Sequence, residues 1–522
     1  VSVDVVIRGG TVLDGTGRPP RVCDVALKDG RVSAVGDAPG ESGAVVDATG
    51  LIVAPGFVDI HSHSDYTLLV DPRAVSAIHQ GVTTEVIGNC GHGCFPVRDV
   101  RLARTAIYGY DDTVPLTWSG AGEYLERLQA ARPAVNVLSL VPNGQLRLAT
   151  VGLADRPATA AERAAMAELL RDALAEGAWG YSTGLEYAAE TGATEEEVTE
   201  LAAVAAREGA WYATHTRLRD EGAADAVAEA VRTATRADTR LQVSHLVPRS
   251  GAEESERCIE VVDAAHDVGL DVAFDMHTRT FGLTHLFAAL PGEALAVPRD
   301  ELAALLRDPA RRDAMRGYRS ILSAGGDWGR VVLLDNPFWP ELARRDLASI
   351  AAERGTEPFD AVCDLLLGAL DEPHRLMVVI HAYSEAQQRV AFAHPLCMPG
   401  SDATTLAPDG ALAGSSFHGA YTWASWYYRF MVRDEALLAP EDAVRRLTGL
   451  PAARIGLSDR GVLREGARAD VAVFDPGALA ERGTTYEPNQ LAEGMRHVFV
   501  NGVHTLRDGT LTGERAGMVL RR

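Results

Sequence analysis

The 522-residue chain has 47% hydrophobic and 23% charged residues and a formal charge of −22. This is the composition of a soluble globular protein with more than one domain, and its acidity disfavours nucleic acid and anionic membranes as partners, because both require basic patches. No apolar run is long enough to span a bilayer. Val1-Ser2-Val3-Asp4 lacks the basic region and apolar core of a signal peptide. The six cysteines (Cys23, Cys90, Cys94, Cys258, Cys363, Cys397) are scattered without a disulfide framework, so a reducing, cytoplasmic setting is expected.

Residues 3 to 53 alternate short β-rich runs with Gly turns, and the stretch from Ala469 to Gly502 has the same character. The simplest reading is one small β-sandwich built from both ends, over 1–53 and 455–522. Lys28 is the only lysine, and it sits in a hairpin-like turn. A lysine Schiff base or a carboxylated-lysine metal bridge would have to use it, and an exposed turn lysine is the plainer reading.

Between the ends, over 54–454, short apolar strands alternate with Ala/Leu/Glu/Arg-rich helices. The predicted strands are 51–60, 82–89, 135–141, 178–183, 211–215, 241–245, 271–275 and 396–400. Helices such as 161–176, 195–208 and 222–236 separate them. Eight strand–helix units predict an α/β fold with a (β/α)8 TIM-like barrel, whose chemistry gathers at the strand C-terminal ends. Residues from about 282 to 350 interrupt the repeat as an insertion or lid.

The first predicted strand runs into His61-Ser62-His63. Side chains alternate along a strand, so His61 and His63 project the same way and could grip one metal ion. Other strands run into Asn89-Cys90, Thr214-His215, Ser244-His245 and Ser401-Asp402. Each has a bland alternative, such as a buried cysteine packed as a small hydrophobe or a Ser-Asp turn. In a barrel they would converge on one mouth, and a set of imidazole, thiolate and carboxylate donors suits Zn2+ better than magnesium or calcium.

Several stretches resemble the N-acyl-D-amino-acid deacylases (D-aminoacylases) of the metal-dependent amidohydrolase superfamily. They are Ala54 through His63, Gly81 through Gly91, Gly180 through Tyr187, Tyr212 through His215, Ser244-His245-Leu246, Gly400-Ser401-Asp402, Leu447 through Arg454 and Gly461 through Asp475. The resemblance covers nearly the whole chain in order and implies a barrel plus β-sandwich. It assigns Cys90, His215 and His245 to a tight zinc, and His61, His63 and Asp402 to a second, weaker position that Cys90 could bridge. Glu186 lies where relatives carry a carboxylated lysine, and is either an alternative bridge or a substrate contact. Asn143 stands where the family often has His.

The departures fall on substrate recognition. The family continues Ser-His-Leu with Lys, and here Val247 follows. It carries Pro-His-Pro-Arg after the catalytic Asp, and here the chain reads Ala413-Gly414-Ser415-Ser416-Phe417-His418-Gly419. Those cations bind the substrate carboxylate in the family, and a buried carboxylate without a cation is costly. Arg217, Arg249 or Arg279 could replace them. His277 and His285 either contact substrate or pack beneath the insertion, and His418 is a further candidate contact.

The expected function is hydrolysis of a linear, N-acyl-amino-acid-like amide with altered carboxylate recognition. Hydroxide generated at zinc attacks the carbonyl, and Asp402 takes the water proton and returns it to the leaving nitrogen. Cyclic-amide hydrolysis or a tailoring step in specialised metabolism is the nearest alternative. A Cys90–His thiol hydrolase leaves the first-strand histidines unexplained, and a catalytically dead binding protein leaves the whole donor set unexplained.

Overall fold

The computed structural model describes residues 3–37, 42–323 and 326–522. Val1 and Ser2 of the N-terminal stretch, and 324–325 within the expected insertion, lie outside them. Eight strands form one parallel sheet: β1 (Phe57–Asp59), β2 (Val82–Ile87), β3 (Asn136–Pro142), β4 (Gly180–Gly184), β5 (Trp211–His215), β6 (Leu241–Val243), β7 (Val272–His277) and β8 (Cys397–Gly400). Each pairs with the next. The barrel closes just past the ends of β8 and β1. Ser401 N–H donates to Asp59 Oδ1 (3.0 Å) and Asp402 N–H to the His61 carbonyl (2.9 Å), while His63 N–H donates to the Ala403 carbonyl (2.9 Å). The seam is thus made by the segments that carry His61, His63 and Asp402.

Every residue of these strands is buried, as a sheet covered by helices requires. The covering helices start at clear sequence signals. Ala160–Ala175 opens on a reciprocal capping box between Thr159 and Glu162, and Glu195–Arg207 on a Thr194 cap.

The expected strand over 51–60 is two strands. Ile52–Pro55 pairs with Val471–Phe474 in the terminal sheet, and the barrel begins only at Phe57. Gly56 is the pivot. Its N–H donates to the Asp470 carbonyl (2.9 Å), and a Cβ there would collide with Thr83 on β2. The hydrophobic run hides the break because both halves are buried. β2 and β6 stop two residues before the expected 89 and 245, where Gly88 (φ 78°) and His245 (φ 33°) leave strand geometry, and β7 runs on to His277.

The chain ends form one nine-stranded sheet. It folds over on itself, since Val25 and Leu27 from the N-terminal part share a buried cluster with Val471 and Phe499. Lys28 ends a strand of this sheet at a two-residue turn, outside the barrel.

The interruption between β7 and β8 is larger than expected. Phe281–His285, Met377–His381 and Val331–Leu333 form an antiparallel sheet, and with the helices Leu347–Arg354 and Pro358–Gly368 they enclose a core of their own around Leu286, Leu333, Leu365 and Val378. It therefore reaches His381 rather than 350. Its second half reads like barrel helices because the same Ala/Leu pattern buries a helix against either core. Among the described residues no helix is long and apolar enough to cross a membrane.

Candidate metal centre

The strand ends bring five donor side chains together at one rim, with His215 beside them. His61 Nε2 lies 3.2 Å and His245 Nε2 3.4 Å from Cys90 Sγ. His61 Nε2 lies 3.6 Å and His63 Nε2 3.3 Å from Asp402 Oδ1. Two trios result, His61–Cys90–His245 and His61–His63–Asp402, each with donor atoms within 4.8 Å of one another. A tetrahedral zinc with bonds of about 2.0–2.3 Å sets its donors roughly 3.3–3.8 Å apart, so these spacings fit that ion.

Buried atoms without partners point the same way. His61 Nδ1–H donates to Asp275 Oδ1 (2.8 Å), which turns Nε2 towards Cys90. Burial would lower this ring, but Cys90 and Asp275 hold it well above the usual imidazole range, so a metal at Nε2 would take the place of a proton. His215 Nδ1 is buried with no hydrogen-bond partner, while its Nε2 is taken by Glu186. Burial, together with Arg219 and His215, holds His245 well below the usual imidazole range, and burial lowers His215 to about 4 despite Glu186. Neutral imidazoles are the form that binds metal. Burial likewise raises the Cys90 thiol, and a cation is what would make it a thiolate. Burial would raise Asp402 as well. The His63 hydrogen bond and the surrounding His245, Arg279 and His61 instead hold it well below the carboxylate range.

Three of these residues carry left-handed backbone: Cys90 (φ 54°), His245 (φ 33°) and Asp402 (φ 43°). Such conformations cost about 1–3 kcal/mol each and concentrate at functional sites.

The trio around Cys90 includes His61 and His245. The His215 ring packs 4.5 Å from that of His245 and donates its Nε2–H to Glu186 Oε2 (3.0 Å), which leaves its buried Nδ1 as a free lone pair beside the trio. Glu186 has a second partner. Arg249 ion-pairs to it through Nη2 and donates from Nη1 (3.3 Å), so Glu186 sits between His215 and Arg249. Arg249 in turn binds Asp220 (3.0 and 3.1 Å), and Asp220 accepts from Arg319 of the insertion (3.1 Å).

The expected substrate arginines are occupied. Arg217 is turned to Glu229 on the helix Ala223–Ala237 (2.8 Å), an acid nearly two turns into the helix that competes for it. Arg279, nearly fully buried, donates to Asp402 Oδ2 (2.9 Å) and to the carbonyls of Ser401 (2.6 Å) and Asp402 (3.1 Å). Asn143 donates to Glu190 Oε2 (2.7 Å). His277, at the end of β7, packs 6.4 Å from His245 and 5.1 Å from Tyr383, its Nδ1 buried without a partner. His285 stacks on Phe287 within the insertion. His418 opens the helix His418–Tyr428 against Phe281 and bonds Thr422 (3.1 Å).

Reading the sequence for donors missed Asp275. It lies on β7 and accepts from His61 Nδ1, the His245 N–H (2.8 Å) and Gln242 Nε2 (2.9 Å). The signal was an acid inside the apolar run Val272-Ala273-Phe274-Asp275-Met276, where a buried charge needs donors. Also missed were Tyr108, stacked on His63 at 4.6 Å, and Tyr187, 4.7 Å from His215, with His92 packed against both. These aromatic rings form the inner wall of a cavity of about 660 Å³ between the barrel mouth and the insertion.

Comparison with known proteins agrees with this architecture. Residues 44–506 match the family described as "Amidohydrolase family". A D-aminoacylase of Alcaligenes xylosoxydans xylosoxydans is 32% identical, over 99% of this chain and 98% of its own. A crystal structure of D-aminoacylase superposes with a TM-score of 0.81 at 31% identity, covering both chains fully. The N-acyl-D-glutamate deacylase of Bordetella bronchiseptica, solved with zinc and a phosphonate mimic of the tetrahedral intermediate, gives 0.80 at 30% identity, again covering 100% of both chains. With the matched barrel and the clustered donors, the chain belongs to the amidohydrolase family, as a metal-dependent hydrolase of carbon–nitrogen bonds other than peptide bonds.

Proposed function

We propose that this amidohydrolase uses zinc to cleave a linear, N-acyl-amino-acid-like amide and that its recognition of the acid end has changed. The observation that carries the reading is the pair of donor trios sharing His61, with Asp402 at the rim between the histidines and Arg279. Thiol and imidazole donors favour zinc. Bound zinc supplies Lewis acidity and lets water lose a proton near neutral pH, at a pKa of about 7. Cys90, His61 and His245 would hold it, with His215 adjacent and His63 and Asp402 facing a second position.

Asp402 does the proton work. Arg279 fixes Oδ2, which leaves Oδ1 towards His61 and His63 to accept the water proton and hand it to the leaving nitrogen. Changed acid-end recognition is supported by Val247, buried where the family carries lysine, and by the engagement of Arg217, Arg249 and Arg279 with acids of the chain itself. The six free cysteines fit a reducing compartment, and we place the protein in the cytoplasm.

The test is metal analysis followed by turnover. The purified chain should hold stoichiometric zinc and hydrolyse N-acyl amines in preference to N-acetyl-D-amino acids. Asp402→Asn should lower kcat about 10³-fold with zinc retained. A chain that stays inactive after zinc addition, or an undiminished Asp402→Asn, would overturn the assignment. Preferred turnover of lactams would move it to cyclic amides.

A further inference from the structure

The cavity outside the donors has two kinds of wall. Towards the barrel it is closed by His92, Tyr108, Glu186 and Tyr187, which touch the donor histidines or lie beside Cys90. Towards the insertion it is lined by Phe287, Leu295, Leu302, Ile321, Leu366 and Leu370. At about 660 Å³ it falls in the range that encloses a drug-sized ligand.

Its charges do not suit an anion. The lining arginines are Arg104 and Arg299, and Arg299 is ion-paired with Asp371. Arg104 offers one cation against two lining acids, Asp111 and Asp112. Asp111 accepts from Tyr66 (3.2 Å) and Asp112 from Tyr110, both neutral donors, so their charges stand uncompensated by these bonds. Glu186 is matched by Arg249 from behind. A carboxylate entering here would meet acids at the rim and hydrocarbon at the far wall.

We propose that this cavity binds the non-reacting part of the substrate, and that the substrate is an amide with an extended apolar arm and no carboxylate, favoured when its free end is cationic. The arm lies against the insertion and the cationic end near Asp111 and Asp112. This rests on the hydrolase reading above, but it concerns binding and is tested by binding.

The probes are N-octanoyl-1,4-diaminobutane, N-octanoylbutylamine, N-octanoyl-4-aminobutanoate and N-acetylbutylamine, titrated calorimetrically into full-length zinc-loaded Asp402→Asn protein. Each buried CH₂ is worth roughly a fourfold gain in affinity, so with half the extra chain buried N-octanoylbutylamine should bind about 50-fold tighter than N-acetylbutylamine. The ammonium compound should bind roughly tenfold tighter than the carboxylate. Ala288→Trp, on the insertion wall, should weaken the octanoyl series at least tenfold with zinc content and Tm unchanged, and Phe287→Ser is the milder second variant. Equal binding of acetyl and octanoyl compounds, tightest binding of the carboxylate, or indifference to both variants would overturn the proposal. The expected order of binding with no turnover by the unmutated enzyme would uphold it and count against the hydrolase reading instead.

Discussion

His61 and His215 are both steadied by a carboxylate behind the ring, but the carboxylates belong to different parts of the molecule. Asp275 lies on β7, is buried, and gives Oδ1 to both His61 and the His245 backbone while Oδ2 is fixed by Gln242. Glu186 lies in the loop after β4 and depends on Arg249 after β6, which depends on Asp220 after β5, which reaches Arg319 in the insertion. One support is part of the sheet and the other is a chain of ion pairs strung across loops. Strands hold a side chain more tightly than loops do, so the His61 side should define the centre and the His215 side should tune it.

The sharpest way to break this contrast is Asp275→Ala. It leaves the His61 Nδ1–H, the His245 N–H and the Gln242 amide without an acceptor at once. Loss of an outer carboxylate of this kind typically costs 10–100-fold in metal affinity, and each unpaired buried donor about 1–3 kcal/mol of stability. Chelator competition and thermal unfolding would read both. Zinc affinity within twofold of the unmutated chain would mean that Asp275 does not orient the donors.

Glu186→Gln should do less. It keeps an acceptor oxygen for His215 Nε2–H while removing the charge that Arg249 neutralises. Burial alone would raise Glu186, and Arg249 and His215 instead hold it well below the carboxylate range, so the neutral amide leaves Arg249 with Asp220 as its remaining anion. A fall in zinc affinity of roughly tenfold or less is expected, with the same number of metal equivalents bound. Loss of one whole equivalent would instead make Glu186 a bridging ligand.

The unequal legibility of the two sides follows from the same contrast. His61, His63, Cys90, His215, His245 and Asp402 could be read because each stands at the end of an apolar run, and a barrel forces strand ends together. The barrel and the terminal sheet were legible for a similar reason, since period and turn residues are local signals. The partners of Arg217 and Arg249 were not. A guanidinium takes whichever acid the loops bring near, and Glu229 and Asp220 become neighbours only once helices and loops are packed. Asp275 is legible only as an acid within a buried strand, because it holds the donors rather than being one of them. The division of 51–60 at Gly56 was hidden because burial on both sides of the break removes any change of hydrophobicity.

Arg319→Ala should have the smallest effect and decides how far the insertion participates. The arginine side chain is 57% exposed and its bond to Asp220 is 3.1 Å, and exposed ion pairs are worth about 0–1 kcal/mol. Asp220 keeps Arg249 when Arg319 is gone, so the chain of pairs is shortened rather than cut. We expect zinc affinity unchanged and kcat/KM reduced at most about fivefold. The reduction should shrink at about 1 M salt, where the Debye length falls to roughly 3 Å, whereas Glu186→Gln, held between His215 and the buried Arg249, should be nearly indifferent to salt. A loss from Arg319→Ala as large as that from Glu186→Gln, and equally insensitive to salt, would mean that the insertion supports the metal centre itself and that the contrast between a rigid side and a tuned side is wrong.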